Sequence, residues 1–351
     1  MPELASLTDT LRSHAQHYED SGAWPQMSLD AYRAHDGWRW GVASEFGGLG
    51  LSPPERLSRY VAIARGDMSA ALYITQHDGA VDLIYQSANQ AMSAKWLPRF
   101  ARGEALTTIG YSQLTTSRQG GAPAMRVAAD GDGFVFDGVM PWVTGAPHVT
   151  NVACGGTLDN GEQLLALVDL SSAGISIVPA AQLVALNSTH TCEVHCSGVR
   201  VSAADVIAGP EPQVLRARSA LRLLLVSATG IGLGLAMLDY IREDAASAAQ
   251  VDSAAAEACG FEARLAELAG QADPAQTDID ALRAELSAWL VRLAGMTMVR
   301  AKGSGFKRGS LAQRLSNEAL FFCVWSASTA VRDGMFTALQ PANGSHDDER
   351  A

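Results

Sequence analysis

The sequence is short of basic residues and of cysteines. Its 26 lysines and arginines stand against 37 acidic residues, so the formal net charge is −11, and no basic cluster offsets it. This balance argues against a nucleic acid or a membrane surface as a partner. The five cysteines are an odd number without the spacing of a disulfide framework, which predicts a reducing, cytoplasmic environment.

A signal sequence, a membrane span and a metal site are also not predicted. The N-terminal residues lack an apolar core. The most apolar run, residues 223–238, contains a serine, a threonine and three glycines, and is expected to form a closely packed, buried helix. The segment 190–196, HTCEVHC, suggests metal binding by composition. On a strand, however, its cysteines share one face, and no second ligand pair exists.

The composition is that of a globular chain, and 351 residues are enough for two or three domains. Residues 1–106 show helical apolar spacing, and residues 107–208 alternate strands with Gly-containing turns. Residues 209–340 again indicate helices, and the polar residues 341–351 predict a disordered tail. The predicted fold class is therefore α+β, with several domains.

The most informative stretch runs from residue 107 to residue 147. Asp and Gly residues at 130–133 lie between two β-prone runs and predict a hairpin. Such a hairpin can bring Tyr111-Ser112 and Trp142-Thr144 together at one end of a sheet. These segments would offer an aromatic face, hydroxyls and backbone N–H groups, which indicate a planar, hydrogen-bonding ligand.

This arrangement resembles the flavin-binding centre of the acyl-CoA dehydrogenase family. The resemblance rests on Gly103-Glu104, the aromatic–Ser pair that follows, the segment 142–145 and the glycine-rich segment 38–50, WRWGVASEFGGLG. It implies an N-terminal helical domain, a middle antiparallel β-domain and a C-terminal four-helix bundle. It also implies FAD as the cofactor, bound at the domain and subunit junctions.

The resemblance assigns roles to individual residues. Ser112 would bond the pyrimidine side of the flavin, Trp142 would pack against the ring, and Thr144 would bond near its N5 atom. Tyr111 and Ser328 complete the cofactor-binding set that the resemblance predicts. No metal ligand is predicted.

The usual catalytic carboxylate of the family is not found at either of its two expected places. Ser326 occupies one of them and Arg222 the other, and neither can take the proton α to a thioester as a carboxylate would. Ser326 and Asp78 are the predicted catalytic residues. Asp78 is the preferred base, because the resemblance places it near the substrate, and Glu45 and Glu318 are the other carboxylates considered.

Four residues are predicted to contact the substrate: Gln76, His77, Arg118 and Arg222. Gln76, His77 and Asp78 interrupt an apolar helix, which the resemblance places beside the acyl chain. The alternative is that these polar side chains are exposed on the outer face of the helix. Arg118 is either a clamp for the CoA pyrophosphate or an ordinary loop charge.

Three functions stay open at this point. The first is FAD-dependent dehydrogenation of an acyl-CoA or acyl-carrier thioester by a homodimer or homotetramer, with the electron acceptor open. The second is a flavin-dependent monooxygenase, which suits Ser326 and the loss of the family's adenosine-binding motifs: one is not found at 242–245, and the other survives only in part at 299–306. The third is a non-catalytic subunit that pairs with a catalytic homologue, since a fold alone does not fix a function.

Overall fold

The computed structural model describes residues 2–18, 21–115, 122–180, 182–215, 219–244 and 251–340. Within these ranges, helices precede and follow a group of eight strands. The helices are α1 (Pro2–Tyr18), α2 (Gln26–Ala34), α3 (Pro53–Gly66), α4 (Met68–Tyr85), α5 (Gln90–Ala101), α6 (Ala220–Arg242), α7 (Asp252–Gly270), α8 (Gln276–Ala301), α9 (Leu311–Val324) and α10 (Thr329–Leu339). The strands are β1 (Thr107–Gly110), β2 (Met125–Asp130), β3 (Gly133–Val143), β4 (Asn151–Leu158), β5 (Gln163–Asp169), β6 (Ile175–Ile177), β7 (Cys192–Ser202) and β8 (Val206–Glu211).

Local sequence signals set the start of the two central N-terminal helices. Ser52 and Glu55 form a capping box at the start of α3, where Pro53 suits the first turn. Asp67 caps α4 by accepting a hydrogen bond from the backbone N–H of Ala70. Helix α4 is apolar on nearly all sides and packs against α3, α6 and β1. Most residues of α4 are therefore buried in the core.

The strands form one sheet in the order β6-β7-β3-β2-β4-β5-β8, with β1 also paired to β4. The predicted hairpin is confirmed, because β2 and β3 pair antiparallel with Asp130 opposite Gly133. Most neighbours are antiparallel, but β4 runs parallel to both β1 and β2. On β7, the side chains of Cys192, Val194 and Cys196 are buried together, and the described part of the chain contains no cluster of metal-ligating side chains.

Helices from both the N-terminal and the C-terminal part of the chain pack closely around α6, as its glycines predict. A Cβ atom at Gly232 would lie 2.3 Å from the carbonyl oxygen of Val61 on α3, and one at Gly234 would lie 1.9 Å from the Trp289 ring. By length and composition α6 could cross a membrane, but 67% of its apolar window is buried inside the fold. The predicted buried helix is thus confirmed. The predicted disordered tail lies outside the described residues, and the exact domain boundaries stay predictions.

Candidate functional site

The Tyr111-Ser112 pair follows β1 and enters a short 3-10 turn over residues 112–114. The end of β1 approaches β3 closely, since a Cβ atom on Gly110 would lie 2.5 Å from the sulfur of Met140. Met140 comes two residues before the Trp-Val-Thr segment at the end of β3. The fold therefore brings the two predicted ligand-binding segments to the same part of the sheet.

The Ser112 hydroxyl is buried and has no hydrogen-bond partner within the described ranges. Gln113 fixes the turn around it, because Nε2 donates to the carbonyl oxygens of Gly110 at 3.0 Å and Gly155 at 2.6 Å. The Oε1 atom of Gln113 is also buried without a partner. Buried polar atoms are nearly always satisfied in native proteins, so these two atoms fit a ligand with a polar edge.

Trp142 is the aromatic surface of the site. This residue is 53% exposed, although a side chain of this size is highly buried in most proteins. The strand neighbours on either side of it, Pro141 and Val143, are buried and hold the backbone in place. An exposed indole on a rigid strand is suited to stacking against a planar ring.

The Thr144 hydroxyl is part of a hydrogen-bond chain of three threonine hydroxyls, in which the donor of each bond can be assigned. Thr189 donates to the carbonyl oxygen of Leu186 at 2.8 Å, and each hydroxyl has only one proton. Thr191 must therefore donate to Thr189, at 2.8 Å, and Thr144 must donate to Thr191, at 3.2 Å. Thr144 is left able to accept a hydrogen bond from a ligand.

Arg222 is the predicted substrate residue that the structure places beside this site. Its guanidinium carbon lies 5.3 Å from the centre of the Tyr111 ring. The same guanidinium rests against α4 at Gly79, where a Cβ atom would lie 2.9 Å from Nη2. Helices α4 and α6 and the turn after β1 therefore meet at Arg222.

Asp78 lies in a buried charge network between α3 and α4. Its carboxylate accepts hydrogen bonds from Arg56, at 3.2 Å, and from the Tyr60 hydroxyl, and Arg56 also binds Asp82 at 3.2 Å. Burial raises the pKa of Asp78, and the neighbouring Arg56 opposes this rise. The structure does not support the prediction of Asp78 as the base, because a base must contact the substrate and this carboxylate is enclosed.

His77 is enclosed by other side chains and is not exposed on the outer face of α4, whereas Gln76 is half-buried and donates a hydrogen bond to the Thr75 hydroxyl at 3.1 Å. The His77 ring is fully buried, 5.0 Å from the Trp38 ring and 5.5 Å from the Phe100 ring. Its Nδ1 atom lies 3.2 Å from the backbone nitrogen of Thr107 on β1. Burial lowers the pKa of His77 to about 4, so the ring is a neutral core residue that ties α4 to the sheet.

Ser326 and Ser328 lie in the break between α9 and α10. Ser326 is exposed and has a left-handed backbone, with φ of 54°, which is uncommon for a residue other than glycine. The Ser328 hydroxyl caps α10 by accepting a hydrogen bond from the Val331 N–H at 3.2 Å. This cap accounts for the hydroxyl without a ligand, and a cofactor-binding role for Ser328 stays a prediction.

The other residues named from the sequence lie away from the Ser112 turn or outside the described ranges. Glu45 is exposed and bonded to the Tyr85 hydroxyl, whose pKa it raises. Glu318 is buried on α9 and lines an open cleft of about 750 Å³ that also borders α1 and residues 182–190. Arg118 lies outside the described residues.

Sequence reasoning missed several residues of the site and its support. Asp82 follows Asp78 by four positions and so shares its helix face, and a glycine inside an apolar helix, Gly79, indicates a close approach. Both signals were present in the sequence. Arg56 and Thr191 carried no such signal, because their partners are distant along the chain.

Comparisons with known proteins agree with this architecture. Residues 5–104 match the family described as acyl-CoA dehydrogenase, N-terminal domain. The (2S)-methylsuccinyl-CoA dehydrogenase of Cereibacter sphaeroides is 32% identical over 105 residues, which cover 30% of this chain and 19% of that protein. The probable acyl-CoA dehydrogenase YngJ of Bacillus subtilis is 22% identical over 275 residues, which cover 75% of this chain and 71% of that protein.

The fold has solved counterparts. A glutaryl-CoA dehydrogenase from Mycobacterium smegmatis in complex with FADH2 superposes with a TM-score of 0.82 at 15% identity, covering 97% of this chain and 93% of that one. The predicted succession of a helical domain, a mainly antiparallel sheet and C-terminal helices is thereby confirmed. These matches confirm the predicted resemblance to the acyl-CoA dehydrogenase family: residues 5–104 match its N-terminal domain, and the chain shares its fold.

Proposed function

We propose that this chain binds FAD beside Ser112 and Trp142 and oxidises an acyl thioester. The observation that carries the proposal is the buried Ser112 hydroxyl, which has no partner among the described residues, at the position where the family resemblance expects the pyrimidine edge of the flavin. Leaving such a group unsatisfied costs about 1–3 kcal/mol, and a polar ligand edge would remove that cost. When bound, FAD would supply the acceptor for the hydride equivalent.

The residues present fit a flavin in three ways. The Ser112 hydroxyl and the Gln113 Oε1 atom offer a donor and an acceptor for a polar edge. The exposed Trp142 indole offers a stacking surface. The proton of the Thr144 hydroxyl goes to Thr191, so this oxygen can accept a hydrogen bond from the N5–H of reduced flavin but cannot bond to the oxidised N5 atom. These residues would orient the flavin ring. Tyr111, which directly precedes Ser112, would form part of the wall of the site.

A thioester substrate is supported by the relatives, whose names include methylsuccinyl-CoA and acyl-CoA dehydrogenases. The thioester is bound to CoA or to a carrier protein, and the reaction is oxidation between the α and β carbons. An oligomer is supported by large apolar side chains left exposed near the C-terminal helices, namely Val299, Phe306, Leu320, Val324 and Phe336. A homodimer or homotetramer would cover them, as would a homologous partner subunit.

A second candidate is a flavin-dependent monooxygenase. It is favoured because neither of the two expected positions holds a catalytic carboxylate. Dehydrogenation needs a base within reach of the α proton. Ser326 and Arg222 hold the two positions at which the family resemblance expects that base, and Asp78 is held by Arg56 inside the core. A monooxygenase reaction, in which oxygen activated on reduced flavin does the chemistry, does not depend on such a carboxylate.

The first experiment is an absorbance spectrum of the purified protein before and after addition of FAD. Flavin uptake is expected, and a protein that takes up neither FAD nor FMN would refute the proposal and favour the partner-subunit alternative. Bleaching by an acyl thioester without oxygen would select the dehydrogenase. Product formation that needs both reduced flavin and oxygen would select the monooxygenase.

The role of Ser112 is tested by Ser112→Ala, with the exposed strand residue Ser176→Ala as the matched control. Loss of the hydroxyl is expected to weaken flavin binding about tenfold, the value of one net hydrogen bond. It should leave the stability of the flavin-free protein unchanged or higher, because no described residue bonds to this hydroxyl. Unchanged flavin affinity would show that Ser112 does not contact the ring.

A further inference from the structure

Arg222 carries a positive charge that forms no ion pair with a described carboxylate. Within the described ranges, no Asp or Glu oxygen lies within 4.0 Å of its guanidinium nitrogens, although the side chain is only partly exposed. Asp82 interacts with this charge at longer range, but its carboxylate is already bound by Arg56. Another arginine, Arg65, forms a two-point contact with Asp239. A half-buried guanidinium without an ion pair is suited to binding an anion that comes from outside the chain.

The position of Arg222 indicates where that anion lies. The guanidinium faces the Tyr111 ring, and Tyr111 directly precedes Ser112. An acyl group bound beside a flavin at the Ser112 turn would therefore lie near this charge. Arginine stays protonated in proteins and cannot act as a base, so its contribution here is electrostatic binding.

Gly79 leaves room for the guanidinium in this position. The three atoms closest to a methyl group introduced at residue 79 would all belong to Arg222: Nη2 at 2.9 Å, Cζ at 3.1 Å and Nε at 3.5 Å. Glycine inside a helix costs about 1 kcal/mol relative to alanine. The gap on α4 thus accommodates the arginine head at the expense of helix stability.

We infer that Arg222 recognises a carboxylate carried by the acyl group, so that the substrate is a thioester of a dicarboxylic acid. This inference rests on the proposed function, because it takes the Ser112 turn to be the flavin site. A planar carboxylate can accept two parallel hydrogen bonds from a guanidinium. An acyl chain ending in a methyl group would leave the charge unpaired and would be bound less well.

The test compares two ligands that differ only at the end of the acyl chain. S-glutarylpantetheine ends in a carboxylate and S-pentanoylpantetheine in a methyl group, and pantetheine is common to CoA and to carrier proteins. Their affinities for the full-length protein are measured by calorimetry, with flavin uptake measured separately. The wild-type protein is expected to prefer the glutaryl compound about tenfold or more, the value of a hydrogen bond to a charged group.

Three variants and one control test the contribution of Arg222. Arg222→Met should abolish the preference, and Arg222→Lys should keep part of it, because the charge remains and the two-point geometry is lost. Gly79→Ala should reduce the preference by displacing the guanidinium, although alanine suits the helix better than glycine. The control is Arg242→Met, at the exposed far end of the same helix, and it should leave the preference unchanged.

The outcomes separate this inference from the proposed function. Equal affinity of the wild type for both compounds, or no binding of either, would overturn the inference. A change in flavin affinity in Arg222→Met without a change in ligand preference would also overturn it, since Arg222 would then serve the flavin. A protein that takes up no flavin would refute the proposed function, whereas its ligand preference could still be measured.

Discussion

The buried His77 makes the stability of this protein dependent on pH in a defined direction. Its pKa is lowered from 6.5 to about 4, because burial penalises the charged ring. The folded state therefore resists protonation, whereas the unfolded chain takes up the proton below pH 6.5. The stability that His77 contributes is fully present above that pH and is lost as the pH falls towards 4.

The size of this loss of stability follows from the pKa shift of His77. Each pKa unit corresponds to about 1.4 kcal/mol, so the full loss is about 3 kcal/mol, most of it between about pH 6.5 and pH 4.5. The assay is the free energy of unfolding from denaturant titrations across this range, in the wild type and in His77→Gln. Glutamine cannot titrate but can still accept the hydrogen bond from the Thr107 N–H.

The difference between the two proteins isolates His77, because carboxylates and other histidines titrate equally in both. The wild type is expected to lose about 3 kcal/mol more than His77→Gln on acidification. His17→Gln, at an exposed position on α1, is the control and should follow the wild type. If the unfolding free energies of the wild type and His77→Gln changed equally with pH, His77 would not be a neutral core histidine.

Two further predictions concern packing and buried charge. Gly234→Ala should lower the unfolding free energy by about 1–3 kcal/mol, because its methyl group would meet the enclosed Trp289 ring. Gly295→Ala, in open space on α8, is its control and should raise it by up to about 1 kcal/mol. Equal unfolding free energies for Gly234→Ala and Gly295→Ala would contradict the close packing of α6 against Trp289. Asp78→Asn should cost about 3 kcal/mol and leave the flavin spectrum intact, since Arg56 loses a buried partner. Lost turnover at unchanged stability would instead support Asp78 as the base.

The sequence by itself determined the class of fold and the two segments of the candidate site. Period-two runs around the Asp130–Gly133 turn specify a hairpin, and capping signals such as Ser52 with Glu55 specify helix starts. Such features depend on residues close together in the chain. For the same reason the segments Tyr111-Ser112 and Trp142-Thr144 could be located from sequence.

Only the tertiary structure decided which polar residues face the site and which face the core. Asp78 and Arg222 are both charged residues in apolar helices, and their sequence contexts do not separate them. Arg56 comes from another helix to enclose Asp78, whereas Gly79 opens a gap that leaves Arg222 beside Tyr111. Burial and ion pairing are set by contacts between distant parts of the chain, and those contacts exist only once the helices and the sheet have packed.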